Sequence, residues 1–119
     1  MLDHVTIPVR DLEASRGFYE PIFAQLGAEV FLEQPGLVIF ATDDGMVGLR
    51  ENDEVLPIHV AFKASDRAAV DRFHETALAG GGDDNGAPGL RSQFHPNYYA
   101  AFVLDLDGHN VEAVCHRPG

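Results

Sequence analysis

Apolar and polar residues alternate with a period of two near the start of the chain, where Val5, Ile7 and Val9 interleave with His4, Thr6 and Pro8. The same alternation returns where Ile58, Val60 and Phe62 interleave with His59, Ala61 and Lys63. Each pattern predicts a strand with one face in a core. Behind each comes a helical stripe. Leu12, Phe18, Tyr19, Ile22, Phe23 and Leu26 make the first, which stops at Gly27; Val70, Phe73, Ala77 and Leu78 make the second, which runs into Gly80-Gly81-Gly82. Asp11 and Asp66 stand where an N-cap carboxylate can accept from free backbone N–H groups. Pro21 falls inside the first stripe and predicts a kink or an early break. Short strands are expected over 28–33, 37–42 and 46–50, divided by Pro35-Gly36 and Asp43-Asp44-Gly45. Two more, over 98–104 and 110–115, flank the turn Asp105-Leu106-Asp107-Gly108. The segment 83–97, rich in Gly, Pro and Asn, reads as mostly loop with one short strand.

The two halves are copies of one another. A shift of 55 positions lays residues 2–7 on 57–62, Asp11 on Asp66, Phe18 on Phe73, Ala24 on Ala79 and Gly27 on Gly82. Several residue types holding register this way indicate a duplicated supersecondary unit. The expected plan is α+β: βαβββ twice, with modules at about 1–51 and 56–117, a linker near Asn52-Asp53-Glu54, and one domain over the 119 residues.

Composition then narrows the chemistry. A net charge of -11 repels phosphate backbones and anionic lipid surfaces, so neither nucleic acid nor membrane is an expected partner. No apolar run approaches the roughly 20 residues that span a bilayer, and the start Met1-Leu2-Asp3-His4 lacks a signal-peptide pattern. The lone Cys115 sits in an apolar run and reads as a reduced packing residue, which makes the cytoplasm the expected compartment.

The segments Leu2-Asp3-His4-Val5, Asp11-Leu12-Glu13-Ala14-Ser15 with Phe18-Tyr19, Ile58-His59-Val60-Ala61, and Asp105-Leu106-Asp107-Gly108-His109-Asn110-Val111-Glu112 run from one end of the chain to the other. As an ordered set they resemble the vicinal oxygen chelate superfamily of glyoxalases, bleomycin-resistance proteins and extradiol dioxygenases. The resemblance implies two modules curled into a half-open, mostly antiparallel barrel around a divalent metal. It carries the metal ligands onto His4, His59 and Glu112, with a fourth position at Gly48 or Leu49, neither of which can ligate. Two imidazoles and a carboxylate suit iron, manganese, cobalt, nickel or zinc and leave positions open for a substrate. Glu112 lies between Val111 and Ala113 in an expected buried strand, where an unpaired carboxylate is costly and a ligand role resolves the cost.

The resemblance therefore implies a metal-dependent enzyme acting on a small molecule with vicinal oxygens, by lyase or isomerase chemistry or as a ring-cleaving dioxygenase. The alternative is a non-catalytic antibiotic-binding protein of bleomycin-resistance type. It also implies a homodimer, made either by packing two complete barrels or by exchanging modules; exchange would set His4 against a partner's His59 and Glu112. His95 and Tyr99 are candidate acid/base or hydrogen-bonding groups beside Glu112, and Arg50 and Arg91 are candidate carboxylate clamps. Glu51 could replace Leu49 as a ligand only by a two-residue register slip. His74, His109 and His116 are expected at the surface, and Asp107-Gly108 as a plain turn.

Overall fold

The computed structural model describes residues 1–119. Module 1 comprises β1 (His4–Val9), α1 (Leu12–Gln25), β2 (Glu29–Gln34), β3 (Leu37–Ala41) and β4 (Met46–Glu51). Module 2 comprises β5 (His59–Lys63), α2 (Arg67–Ala79), β6 (Asp83–Leu90), β7 (Tyr99–Leu104) and β8 (Asn110–Cys115). The expected βαβββ repeat is present. Each module makes its own four-stranded sheet, in the orders β1-β4-β3-β2 and β5-β8-β7-β6, with only the first pair of each order parallel. The two sheets do not join by hydrogen bonds, so the barrel is not closed and β1, β2, β5 and β6 are free edges.

Both helices begin as the sequence indicates. Asp11 accepts from the Ala14 N–H at 3.0 Å and Asp66 from the Ala69 N–H at 2.7 Å. Pro21, however, neither ends nor breaks α1, which runs through to Gln25. The proline costs about 3 kcal/mol. Phe18, Tyr19, Ile22 and Phe23 on either side are all buried, and each contributes about 1.5–3 kcal/mol when removed from water. Packing outweighs the local defect. The segment 83–97 also holds more structure than expected, since β6 takes up eight residues. It is an edge strand with breaks in register around Gly86 and before Gly89, so it shows no alternation, and Pro88 is tolerated there.

The helices and the inward faces of both sheets share one core. Phe23 joins the modules, with its ring 5.0 Å from that of Phe40 in β3 and 5.2 Å from that of Phe62 in β5. Gly82 shows how close the elements come: a Cβ there would meet Val103 at 2.5 Å and Phe18 at 2.9 Å. The counterpart Gly27 answers to backbone conformation instead, at φ 86°.

A second link between modules is polar and buried. The turn before β8 places Asp105 against α1, where it accepts the Tyr19 hydroxyl on one oxygen. Its other oxygen accepts the N–H groups of Asp107 at 2.9 Å and His109 at 2.8 Å. His109, expected at the surface, is fully buried. Its Nδ1 accepts the Ile58 N–H at 3.0 Å, so Nε2 carries the proton and donates to the Pro8 carbonyl at 2.7 Å. Asp107 is likewise more than a turn residue, because it accepts from the Arg10 N–H at 3.2 Å and pairs with the Arg10 guanidinium. Sequence spacing identifies the turn but not what lies beneath it.

Removing the Tyr19 hydroxyl leaves a buried carboxylate one donor short. Tyr19→Phe is expected to destabilise the protein by about 1–3 kcal/mol, read as a lowered urea midpoint with an unchanged slope. An unchanged midpoint would show that the clamp contributes nothing.

Candidate functional site

Register fixes the positions that face away from the helices. In β8, Glu112 stands opposite Ala61, two residues beyond His59 on β5. The equivalent partner of Thr6, two residues beyond His4 on β1, is Gly48. By the internal repeat, the counterpart of Glu112 is therefore Gly48 and not Leu49, which is buried in the core. A Cβ at Gly48 would touch Thr6 and Ile39 at 3.4–3.6 Å, ordinary contact, so the place is empty of ligand but not closed to a side chain. Glu51 is not drawn in either; its carboxylate accepts the Leu12 N–H at 3.0 Å, at the start of α1.

His59 and Glu112 do come together. His59 Nε2 lies 2.8 Å from Glu112 Oε1, close to the roughly 3 Å between neighbouring ligands of a six-coordinate metal with bonds of about 2.1 Å. Glu112 is 1% exposed, yet both its oxygens are engaged, the second by the Tyr98 hydroxyl. Burial, and then the bond to Glu112, push the Tyr98 hydroxyl up to about 12, so it donates rather than ionises at neutral pH. Tyr98, one residue before β7, and not the expected Tyr99, is the tyrosine at this pair. Tyr99 points to the helix side, donating to Asp71 at 2.6 Å beneath the Arg67 guanidinium. The adjacent pair of tyrosines, one on each side of a strand, was the available signal.

His95 sits in the loop beside this pair. Its Nδ1 accepts the Asn97 N–H at 3.0 Å, so Nε2 bears the proton and faces His116 Nδ1 at 2.6 Å. Both rings pack around Tyr98, at 5.5 and 5.3 Å between centroids. His116 is exposed as expected, whereas His74 is half-buried and bonded to Asp84 at 2.9 Å. Arg91 is spent on structure: its guanidinium donates to the carbonyls of Gly89 and Ala87 at 2.7 and 2.8 Å, over the ring of Phe102. Arg50 is exposed and forms no ion pair.

His4 does not join His59 and Glu112 within the chain. No cluster of three His, Cys, Asp or Glu side chains able to hold a metal forms. The reason lies in the clamp: His109 ties Pro8, near the end of β1, to Ile58, just before His59. His4 begins that strand, roughly 13 Å away at about 3.3 Å per residue. Its Nδ1 instead faces Asp3 at 2.7 Å, an exposed pair. A carboxylate at Nδ1 holds the proton there and leaves Nε2 as the free donor atom, the arrangement metal-binding histidines commonly adopt.

Residues 1–113 match the family model for the Glyoxalase/Bleomycin resistance protein/Dioxygenase superfamily. Among solved structures, the chain is similar to a glyoxalase/bleomycin resistance protein from Albidiferax ferrireducens T118, with 26% identity, a TM-score of 0.87 and 99% of each chain covered. It is similar to the fosfomycin resistance protein FosX of Mesorhizobium loti, with 25% identity, a TM-score of 0.73, and 98% of this chain and 92% of that one covered. A lactoylglutathione lyase from Agrobacterium tumefaciens shares the fold, with 24% identity, a TM-score of 0.73, and 97% of this chain and 92% of that one covered. No protein of curated function matches. With the repeat, the sheet order and a family match over nearly its whole length, the chain belongs to the glyoxalase/bleomycin resistance protein/dioxygenase superfamily.

Proposed function

We propose that the protein is a metal-dependent enzyme acting on a small molecule with vicinal oxygens, and that its metal is held by His59 and Glu112 of one chain and His4 of a second. The observation that supports this reading best is the pairing of a buried carboxylate with an imidazole at 2.8 Å, while a third donor of the right type is held apart on another strand. In a two-fold dimer one contact made twice yields two identical sites. β1 and β5, which carry His4 and His59, are edge strands with no strand hydrogen-bonded to their outer sides.

A divalent metal bound there would polarise the substrate oxygens and stabilise negative charge on them. The chain supplies the rest. Tyr98 occupies one oxygen of Glu112, leaving the other for the metal and fixing the carboxylate as a one-oxygen ligand. Asp3 sets the tautomer of His4. Gly48 keeps one side of the site open, where a fourth protein ligand would otherwise stand. His95, whose Nε2 faces His116, packs against the Tyr98 ring and is a group able to exchange a proton with a substrate bound beyond it. Which of lyase, isomerase or dioxygenase chemistry follows depends on the substrate.

Mixing tests the shared site. His4→Ala and Glu112→Ala proteins should each bind almost no cobalt(II), whereas a re-equilibrated equal mixture should regain about a quarter of the wild-type sites, since half the dimers are mixed and one site in each is intact. Recovery of none while the dimer persists would sink the shared site, and full cobalt binding by both variants would sink the metal assignment. Tyr98→Phe should weaken metal binding about 10–100-fold without unfolding the protein, as loss of a group holding a ligand does. Gly48→Glu should tighten it at least ~10-fold by adding a fourth ligand, measured by competition with a chelator.

A further inference from the structure

A cavity of about 740 Å³ lies between the modules, away from the His59–Glu112 pair. Phe23, Phe40, Val47, Val60 and Phe62 line it, from α1, β3, β4 and β5. Val47, Val60 and Phe62 pack on the core yet remain half-buried, so the cavity presents apolar surface that no side chain of the protein covers. Its size falls within the range of pockets that enclose small organic ligands, about 300–1,000 Å³.

Its polar groups are unevenly used. Lys63 ends β5 and Arg117 follows β8, the neighbouring parallel strand, and both residues line the cavity with Ser65 and with Ala69 of the first turn of α2. The chain has 19 carboxylates and eight lysines and arginines, yet the ion pairs of those cations are made by Arg10 and Arg16 alone. Lys63 and Arg117 therefore stand at an apolar cavity without a carboxylate partner. The acidic residues on the wall do not fill that role: Asp3 faces His4, and Asp44, in the β3–β4 turn, makes no ion pair.

We propose that this cavity binds a small amphipathic carboxylate. Its body of one or two rings lies against Phe23, Phe40 and Phe62, and its anion is held by Lys63 and Arg117. Arginine suits a carboxylate because its planar fork donates two parallel hydrogen bonds, with lysine adding a point charge. The site uses neither His59 nor Glu112; His4 also stands on its wall, so binding is tested with metal withheld.

The probe is 2-naphthoate, titrated calorimetrically into the full-length protein in the presence of EDTA, with 2-naphthamide as the neutral isostere. Binding of naphthoate with the amide at least ~10-fold weaker is expected. Lys63→Gln/Arg117→Gln should lose at least ~10-fold in naphthoate affinity, while Arg50→Gln and His59→Ala keep it. Amide shifts in NMR spectra should fall on Val47, Val60 and Phe62. Failure of naphthoate to bind, equal binding of the amide, equal binding by the double variant, or shifts confined to residues around Glu112 would each overturn the proposal. Because metal is absent throughout, these outcomes leave the metal reading to its own test.

Discussion

The buried carboxylate of Asp105 is the constraint on which the relation between the two modules depends. A charge taken out of water costs several kcal/mol unless donors replace the lost hydration. Asp105 meets that cost with the N–H groups of Asp107 and His109 from its own turn and with the hydroxyl of Tyr19 from the other module. Satisfying the charge thus requires α1 to lie against the turn before β8. The proximity of Asp105 in turn pushes the Tyr19 hydroxyl, already desolvated, further toward its neutral, donating form. His109 extends the linkage by reading one backbone group from each module, Pro8 and Ile58. Apolar packing around Phe23 is less selective, since aromatic rings tolerate sliding, whereas these hydrogen bonds admit one register.

That geometry explains why His4 and His59, equivalent in the repeat, are not neighbours in space. The clamp fixes the far end of β1 beside the start of β5, so the two histidines sit at unlike distances from it. The modules are also unequal in chemistry. Module 2 holds an imidazole, a carboxylate and a phenol in one hydrogen-bonded row, while module 1 offers an imidazole and a glycine in the corresponding places.

Much of this was legible along the chain, because it is encoded by period and repetition. The alternation around His4 and His59, the caps at Asp11 and Asp66, and the stops at Gly27 and Gly80–Gly82 are local signals, and local physics honours them. What was not legible depends on tertiary partners. Pro21 stays helical because the rings around it are buried, a fact set by the sheets rather than by the helix. The strand at Asp83–Leu90 lacks alternation because it is an edge. At the site, strand parity places Glu112 and His59 correctly relative to each other, but it cannot say whether Tyr98 or Tyr99 turns toward them. One residue of register separates a phenol on Glu112 from one on Asp71.

The inequality of the modules bears on how such a site can be assembled. Two identical half-sites could pair like with like, module 1 on module 1, and each dimer would then hold two different centres. Here module 1 alone brings one donor and module 2 alone brings two, so like pairs would give two imidazoles at one centre and two imidazoles with two carboxylates at the other. The first is too poor in ligands to hold a divalent metal well, so only one of the two centres would bind metal. Pairing unlike modules avoids that, and would give two equal centres of two imidazoles and one carboxylate. A two-fold axis relating whole chains allows that pairing, with one contact between module 1 and module 2 made twice. On the proposed assembly, Gly48 would leave each centre with three protein ligands and open on the side where module 1 has no further donor to offer.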